Sequence, residues 1–522
     1  MRIAGAILFT VVVVITVMVM FSPRSRLSRL SNTDRNLASV AALEPVRIQI
    51  GGEPSTLDPA KVLDQYGFSI LRNLVMGLTV MDQSGTLQNG VAESYRIDQT
   101  GLIYRFKLRQ DALWSDGRTV TIEDFICGLR YALSPKTASP NTPYFFAIKN
   151  AKEVFAGKAG PEALGVRREG DELVIELEKP DPSLLMALTL PAAGPLRQDF
   201  LDANKGEWNE KAPTTGDYVI EAYHPASEIK LAPNPVRTRP GQRPILYRVL
   251  TEEVTAMNLF ESKRLDVITT ITATELGRLR KKGLIQTFPS TTVFYFSFNY
   301  SAPPFNDPDW RKAIASSIDR EGLGKILNGI YVPTTSYVPK PLDGVLEYQP
   351  LDFPESVAKV KALASKSRVR LAYGASVFTK TVAEKTQNDL QKKLGLNIVL
   401  EPMELKSLLA RLKSDPPEMY FLGMSGMYDD PINHLGAFSN IAEPTFSRYH
   451  NPEYERLVEI VRTTPLGPER TAAAEAANRQ LIEKDVVVVP AVVRLQVFGV
   501  NRELTDFKVN PFQVIGLSAI RK

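Results

Sequence analysis

Leu108-Arg109-Gln110-Asp111-Ala112-Leu113-Trp114-Ser115-Asp116-Gly117 reads as the end of a strand and a turn, and the chain then runs through Thr119-Val120-Thr121 into an apolar-periodic segment. Ser115, Asp116 and Gly117 are turn formers, and Thr121 is placed to cap a helix whose first turn carries Glu123 and Asp124. Phe125, Ile126, Leu129 and Leu133 fall on one face of that helix. Taken alone, such a strand–turn–helix unit is scaffold. Its neighbours make it informative.

Upstream stands Gly51-Gly52-Glu53-Pro54-Ser55-Thr56-Leu57-Asp58-Pro59, followed by Leu102-Ile103-Tyr104-Arg105-Phe106-Lys107-Leu108-Arg109. Downstream come Thr215-Gly216-Asp217-Tyr218-Val219-Ile220, Phe298-Asn299 with Pro304-Phe305-Asn306-Asp307, Ile318-Asp319-Arg320-Glu321, and Asn451-Pro452-Glu453-Tyr454-Glu455. In order and spacing these motifs resemble the solute-binding proteins of peptide-type ABC importers, family 5 of the extracellular solute-binding proteins. The resemblance implies an α/β chain with a two-lobed, type II periplasmic-binding-protein-like fold. It also implies an additional small α+β domain and a doubly wound sheet in the second lobe.

Length alone requires more than one core, because 522 residues exceed the roughly 250–300 at which a single core stops growing. A hydrophobic fraction of 44% and a charged fraction of 23% are ordinary for a globular chain. The formal charge is +5, but residues 1–44 hold five Arg against Asp34 and Glu44, so the rest is nearly neutral and carries no nucleic-acid footprint. Cys127 is the only cysteine, which rules out an intramolecular disulfide, and it is expected as a buried structural thiol.

Ile3 to Pro23 contains no charged residue and is long enough to cross a bilayer. We read residues 1–23 as a membrane anchor in preference to a cleaved signal, because the small-residue pattern Ser39-Val40-Ala41-Ala42 lies far beyond the apolar run. No cysteine follows it for lipid attachment. Arg24, Arg26, Arg29 and Arg35 would by flanking charge place the following side in the cytoplasm. The resemblance implies the opposite, the periplasmic or extracytoplasmic side of the inner membrane, and takes precedence.

Residues 24–44 read as a tether. Lobe I is expected from 45–74, 180–267 and 488–522, the small domain from 75–179, and lobe II from 268–487. Val46–Ile50 reads as the first strand and Tyr66–Leu78 as a helix. From Arg368 to Leu422 strands alternate with helices, the signature of a parallel, doubly wound sheet. The resemblance places the lobe crossings near 266–270 and 485–492.

Catalytic patterns are incomplete. His224, His434 and His450 are dispersed, which gives no histidine zinc spacing, and His434 is expected as a structural, hydrogen-bonded imidazole. Ser356-Val357-Ala358-Lys359 matches a serine–lysine spacing without its companion motifs, and Gly423-Met424-Ser425-Gly426 misses the nucleophile elbow. No enzyme activity and no cofactor are expected.

The resemblance implies capture of an extended peptide between the lobes, by pairing with its main chain, and delivery to ABC permease subunits. It places Asp64, Gln65 and Tyr66 on the first lobe's side of the cleft, with Gly423, Met424, Ser425, Gly426 and Met427 as the opposing wall. Tyr295 is a candidate cleft aromatic, and Trp114 a weaker one. Aligned on Asp430-Pro431, Met424 stands where peptide binders carry Trp, and Met427 where they carry the Asp that pairs with the peptide's α-ammonium. Either Asp429 or Asp64 supplies that charge, or the ligand is not an ordinary free peptide. A monomer is expected. A membrane-tethered sensor or peptide chaperone uncoupled from transport is the alternative, and a hydrolase the third.

Overall fold

The computed structural model describes residues 43–522 apart from 272 and 440–444. The expected anchor, and all but the end of the tether, lie outside the described residues. Among the described residues no helix is long and apolar enough to cross a membrane.

The first lobe is built on a seven-stranded sheet in the order Ile285–Phe288, Gln496–Val500, Val267–Ile268, Val46–Ile50, Ile245–Val249, Glu228–Pro233, Tyr218–His224. Val46–Ile50 runs parallel to both its neighbours, with Ile48 opposite Tyr247 and Val267. Its residues Val46, Ile48 and Ile50 are buried, as a central strand covered on both faces requires. Gln49 is also buried, and its amide donates to the Leu250 carbonyl and Thr270 Oγ1 and accepts from the Thr269 amide.

The small domain carries a four-stranded antiparallel sheet, Ala92–Ile97, Ile103–Leu108, Glu172–Glu176 and Val166–Glu169. The turn expected after Leu108 forms: the Trp114 amide donates to the Arg118 carbonyl, and Gly117 takes φ +87°, a conformation that favours glycine. Thr121 and Asp124 make a reciprocal capping box for helix Ile122–Ala132. The Asp124 carboxylate also accepts from the buried Trp114 indole at 3.0 Å. Trp114 is therefore a core residue of this domain. Its apolar interior is continuous with that of the first sheet.

The second lobe holds a six-stranded sheet in the order Tyr331–Pro333, Val488–Arg494, Val293–Phe298, Met419–Met424, Arg368–Gly374, Asn397–Met403. Alternation along the strands puts Phe296 and Phe421 into one apolar layer and Tyr295 and Tyr420 into the other. Arg368–Gly374 is parallel to both its neighbours. The other pairings are antiparallel, so the parallel, doubly wound portion expected from the sequence is confined to three strands.

The expected lobe boundaries need two corrections. Ile285–Phe288, assigned to lobe II, pairs with Gln496–Val500 in the first sheet. Val488–Arg494, assigned to lobe I, pairs with Val293–Phe298 in the second. The crossings therefore lie at residues 289–292 and 494–496. They run side by side: the Arg494 amide donates to the Thr292 carbonyl at 2.9 Å, and the Gln496 side chain to the Pro289 carbonyl at 2.5 Å.

Candidate functional site: the interlobe cleft

On the first lobe the cleft begins with the turn before helix Gln65–Leu74. Asp64 is its N-cap and accepts from the Gly67 amide, the Ser55 amide and the Ser55 hydroxyl at 2.6–2.8 Å. These three local bonds hold the turn and occupy the carboxylate. Gln65 and Tyr66 then line a cavity of about 110 Å³ with Ser69, Thr269, Thr270 and Ser290, floored by Arg494 and Gln496 of the second crossing. Gly51 permits the close approach here, because a Cβ at that position would meet Thr270 Cγ2 at 2.6 Å and the Tyr66 hydroxyl at 2.9 Å.

Two of the lining residues carry unsatisfied hydroxyls. Ser69 and Tyr247 both border the cavity, and their hydroxyl oxygens are buried with no hydrogen-bond partner among the described residues. Leaving a buried polar group unpaired costs roughly 1–3 kcal/mol, so such groups call for an explanation.

The opposing wall comes from the loop that follows strand Met419–Met424. Ser425 Oγ lies 2.8 Å from Thr292 Oγ1, and the Gly426 amide donates to Thr291 Oγ1 at 3.2 Å. His434 Nε2 lies 2.9 Å from the Thr291 carbonyl, and burial pushes this imidazole down to about 4. These contacts fix the loop to the first crossing, and His434 has the structural role expected.

Past Gly426 the loop reaches the first lobe. The Met427 carbonyl accepts from Arg72 Nη2 at 2.8 Å, and its side chain packs on the first-lobe interior. Tyr428 is buried in that same interior, with its ring edge-on to Tyr144 of the small domain at 5.7 Å. Burial lowers the Arg72 guanidinium to about 10. Asp430 turns back into the second lobe and makes a buried ion pair with Arg470, whose Nη2 donates to both carboxylate oxygens at 2.7 and 2.8 Å. Between them Asp429 is half-buried and not hydrogen-bonded to any described residue. Burial, followed by the nearby Asp343 and Asp430, raises its carboxyl to about 6.

The family model for the bacterial extracellular solute-binding proteins, family 5, matches residues 86–443, more than half of the chain. The chain belongs to this family. Among curated relatives, the probable deoxycholate-binding periplasmic protein YgiS of Escherichia coli is 28% identical, covering 84% of this chain and 86% of that protein. The periplasmic oligopeptide-binding protein OppA of Salmonella typhimurium is 27% identical over 87% and 89%. A solved structure of the Escherichia coli murein tripeptide-binding protein MppA superposes with TM-score 0.76 at 23% identity, over 92% of this chain and 99% of that one. At that identity the likeness shows the fold, two lobes with mixed α/β sheets.

Within this family 5 chain the expected site residues divide. Gln65 and Tyr66 meet the crossings in one cavity, and Met427 meets helix Gln65–Leu74 across the cleft. Tyr295 stands apart: it is 5% exposed and packed against Tyr337 and Phe438 inside the second lobe, so it is not at the cleft surface in this conformation. Cys127 is half-buried and not fully enclosed as expected. Ser356 and Lys359 both engage Asp309, the ordinary contacts of a helix start.

Ser69, Arg72 and Tyr247 were not read as cleft residues. A signal existed for two of them, because Gln65, Ser69 and Arg72 recur at spacings of four and three and, with Asn73 beside them, form one polar stripe on the helix. For Tyr247, which sits in a central strand of mostly apolar residues, the sequence offers none.

Proposed function

We propose that this chain is the extracytoplasmic binding component of an ABC importer, that it captures short peptides between its lobes, and that it delivers them to a permease without turnover. The observation that carries this reading is the pair of buried, unpartnered hydroxyls, Ser69 and Tyr247, bordering the cavity between the crossings. A ligand main chain supplies the partners they lack. In this reading Gln65 and Tyr66 approach the ligand from the first lobe, and the backbone of Gly423–Met427 approaches from the second. Asp429, ionised on binding, takes the α-ammonium in place of Met427, while Asp64 holds the helix start. The cavity of about 110 Å³ is well below the roughly 300–1,000 Å³ of ordinary ligand sites, so the lobes must part to admit a peptide. We further propose that residues 1–23 anchor the chain on the membrane and that it works as a monomer.

A second reading has one specific observation in its favour. Met424 and Met427 offer polarizable, adaptable surface where a carboxylate would hold an ammonium, which suits an apolar or amphipathic solute. Native mass spectrometry of the protein spanning residues 44–522, followed by denaturation and identification of what is released, separates the two. A heterogeneous set of short peptides supports the first reading; a single non-peptide species overturns it.

A further inference from the structure

A second cavity lies away from the cleft, against the small domain. It measures about 830 Å³, is open to solvent, and is bounded by helix Ile122–Ala132, strand Val166–Glu169 at the edge of its sheet, and helix Gln198–Ala203. It shares no lining residue with the interlobe cavity. Its volume falls within the range of sites that enclose small organic ligands, roughly 300–1,000 Å³.

The lining combines an apolar floor with uncommitted positive charge. Ile126, Leu164 and Leu201 form the floor beside Cys127, which donates weakly to the Gln198 side chain. Most cations around it are already neutralised: Arg168 by Glu123 at 2.8 Å, Arg167 by Glu176 at 2.9 Å, and Lys61 by Asp58 at 3.6 Å. Arg130 and Lys136 have no carboxylate within ion-pair distance among the described residues, and Arg130 Nε is buried with no hydrogen-bond partner. A half-buried guanidinium beside apolar surface gains most from a carboxylate or sulfonate, which supplies both charge and two or more acceptor oxygens. Glu162 and Glu207 stand exposed at the rim and disfavour a second negative charge.

We propose that this cavity is a second ligand site, independent of the cleft, that takes a monoanionic amphiphile with its head group on Arg130 and its apolar body over Ile126, Leu164 and Leu201.

Because Cys127 is the chain's only cysteine and lies in the cavity, its alkylation reads occupancy on the unaltered protein. The experiment uses the full chain in lipid nanodiscs at about pH 9, where a thiol pushed up to about 11 by burial still reacts slowly with iodoacetamide. Octanesulfonate is expected to slow alkylation saturably, and octanol at equal concentration is expected to leave it unchanged. Arg130→Gln should raise the half-protecting concentration about tenfold, as loss of one charge-assisted contact implies, and Asp429→Asn in the cleft should not move it. Absence of protection by octanesulfonate overturns the site. Equal protection by octanol, or an unshifted Arg130→Gln curve, overturns its preference for an anion; loss of protection in Asp429→Asn overturns its independence.

Discussion

At residue 427 a thioether occupies a position whose backbone is clamped by Arg72, while the nearest uncommitted carboxylate stands two residues further on. Asp429→Asn is expected to weaken binding of a free-amine peptide by about 2–5 kcal/mol, measured by titration calorimetry, and to leave an N-acetylated peptide unaffected. Unchanged affinity for the free amine would remove Asp429 from the site. The same carboxyl makes a pH prediction. Its folded value of about 6 lies above the ordinary 3.8, so the folded protein holds the extra proton between those values and loses stability as pH rises through that window. Asp429→Asn should therefore melt higher than the native protein at pH 7 and equally at pH 3.5, below both values. The buried pair behind it responds in the opposite sense: Asp430→Asn leaves Arg470 without its counter-charge and is expected to cost about 3–5 kcal/mol in denaturant unfolding. The places of Met427 and Asp429 in the loop could be read from the sequence because Asp430-Pro431 fixes its alignment, and their roles in binding are what these variants test. The polar stripe on its helix marks Arg72 as a residue to examine, but its partner is not legible, because that partner is a backbone carbonyl 355 positions away, and carbonyls leave no mark in a sequence.

At the scale of elements, the unit from Arg109 to Leu133 was readable because its stabilising contacts are local. Turn, cap and apolar face all lie within about two dozen residues, and each is set by residue type. Thr121→Ala is expected to cost about 1 kcal/mol through loss of the cap. Asp124→Ala should cost more, since the Trp114 indole, buried and bonded to that carboxylate, is then left unpaired. Urea unfolding of the two variants gives the comparison, and equal losses would show that the indole bond contributes nothing. The crossings were misplaced for the converse reason. Ile285–Phe288 reads as a short strand wherever it goes, and which sheet it joins depends on an edge offered by Gln496–Val500, more than two hundred positions later. The resemblance placed a crossing at 485–492, whereas Val488–Arg494 runs through Pro490 as one strand of the second sheet. The register shift between Phe294 and Tyr295 on its partner accommodates the proline within the sheet.

At the scale of the whole molecule, the loop after strand Met419–Met424 belongs to the second lobe by chain path but is buried partly in the first. Its cross-lobe contacts hold the two lobes in the arrangement observed, and a ligand shifts the population by the difference in its affinity for this and for other arrangements. Tyr144→Ala removes one contact of that arrangement without touching the cavity between the crossings. Small-angle scattering of the unliganded variant is expected to show a larger radius of gyration than the native protein, and saturating ligand should abolish the difference. Identical unliganded radii would mean that the ring contact does not bias closure.

The Tyr428–Tyr144 contact also separates two properties that a binding protein otherwise couples. Apparent affinity is the intrinsic affinity of the closed form scaled by how often that form is populated. Selectivity is set only by what lines the cleft. Substitutions around Tyr144, on a domain that contributes nothing to the lining of that cavity, can strengthen or weaken retention of every ligand by the same factor. On the proposed function the small domain would work as a gain control, through which the threshold for capture could drift to match the abundance of solutes while the ranking among them stayed fixed.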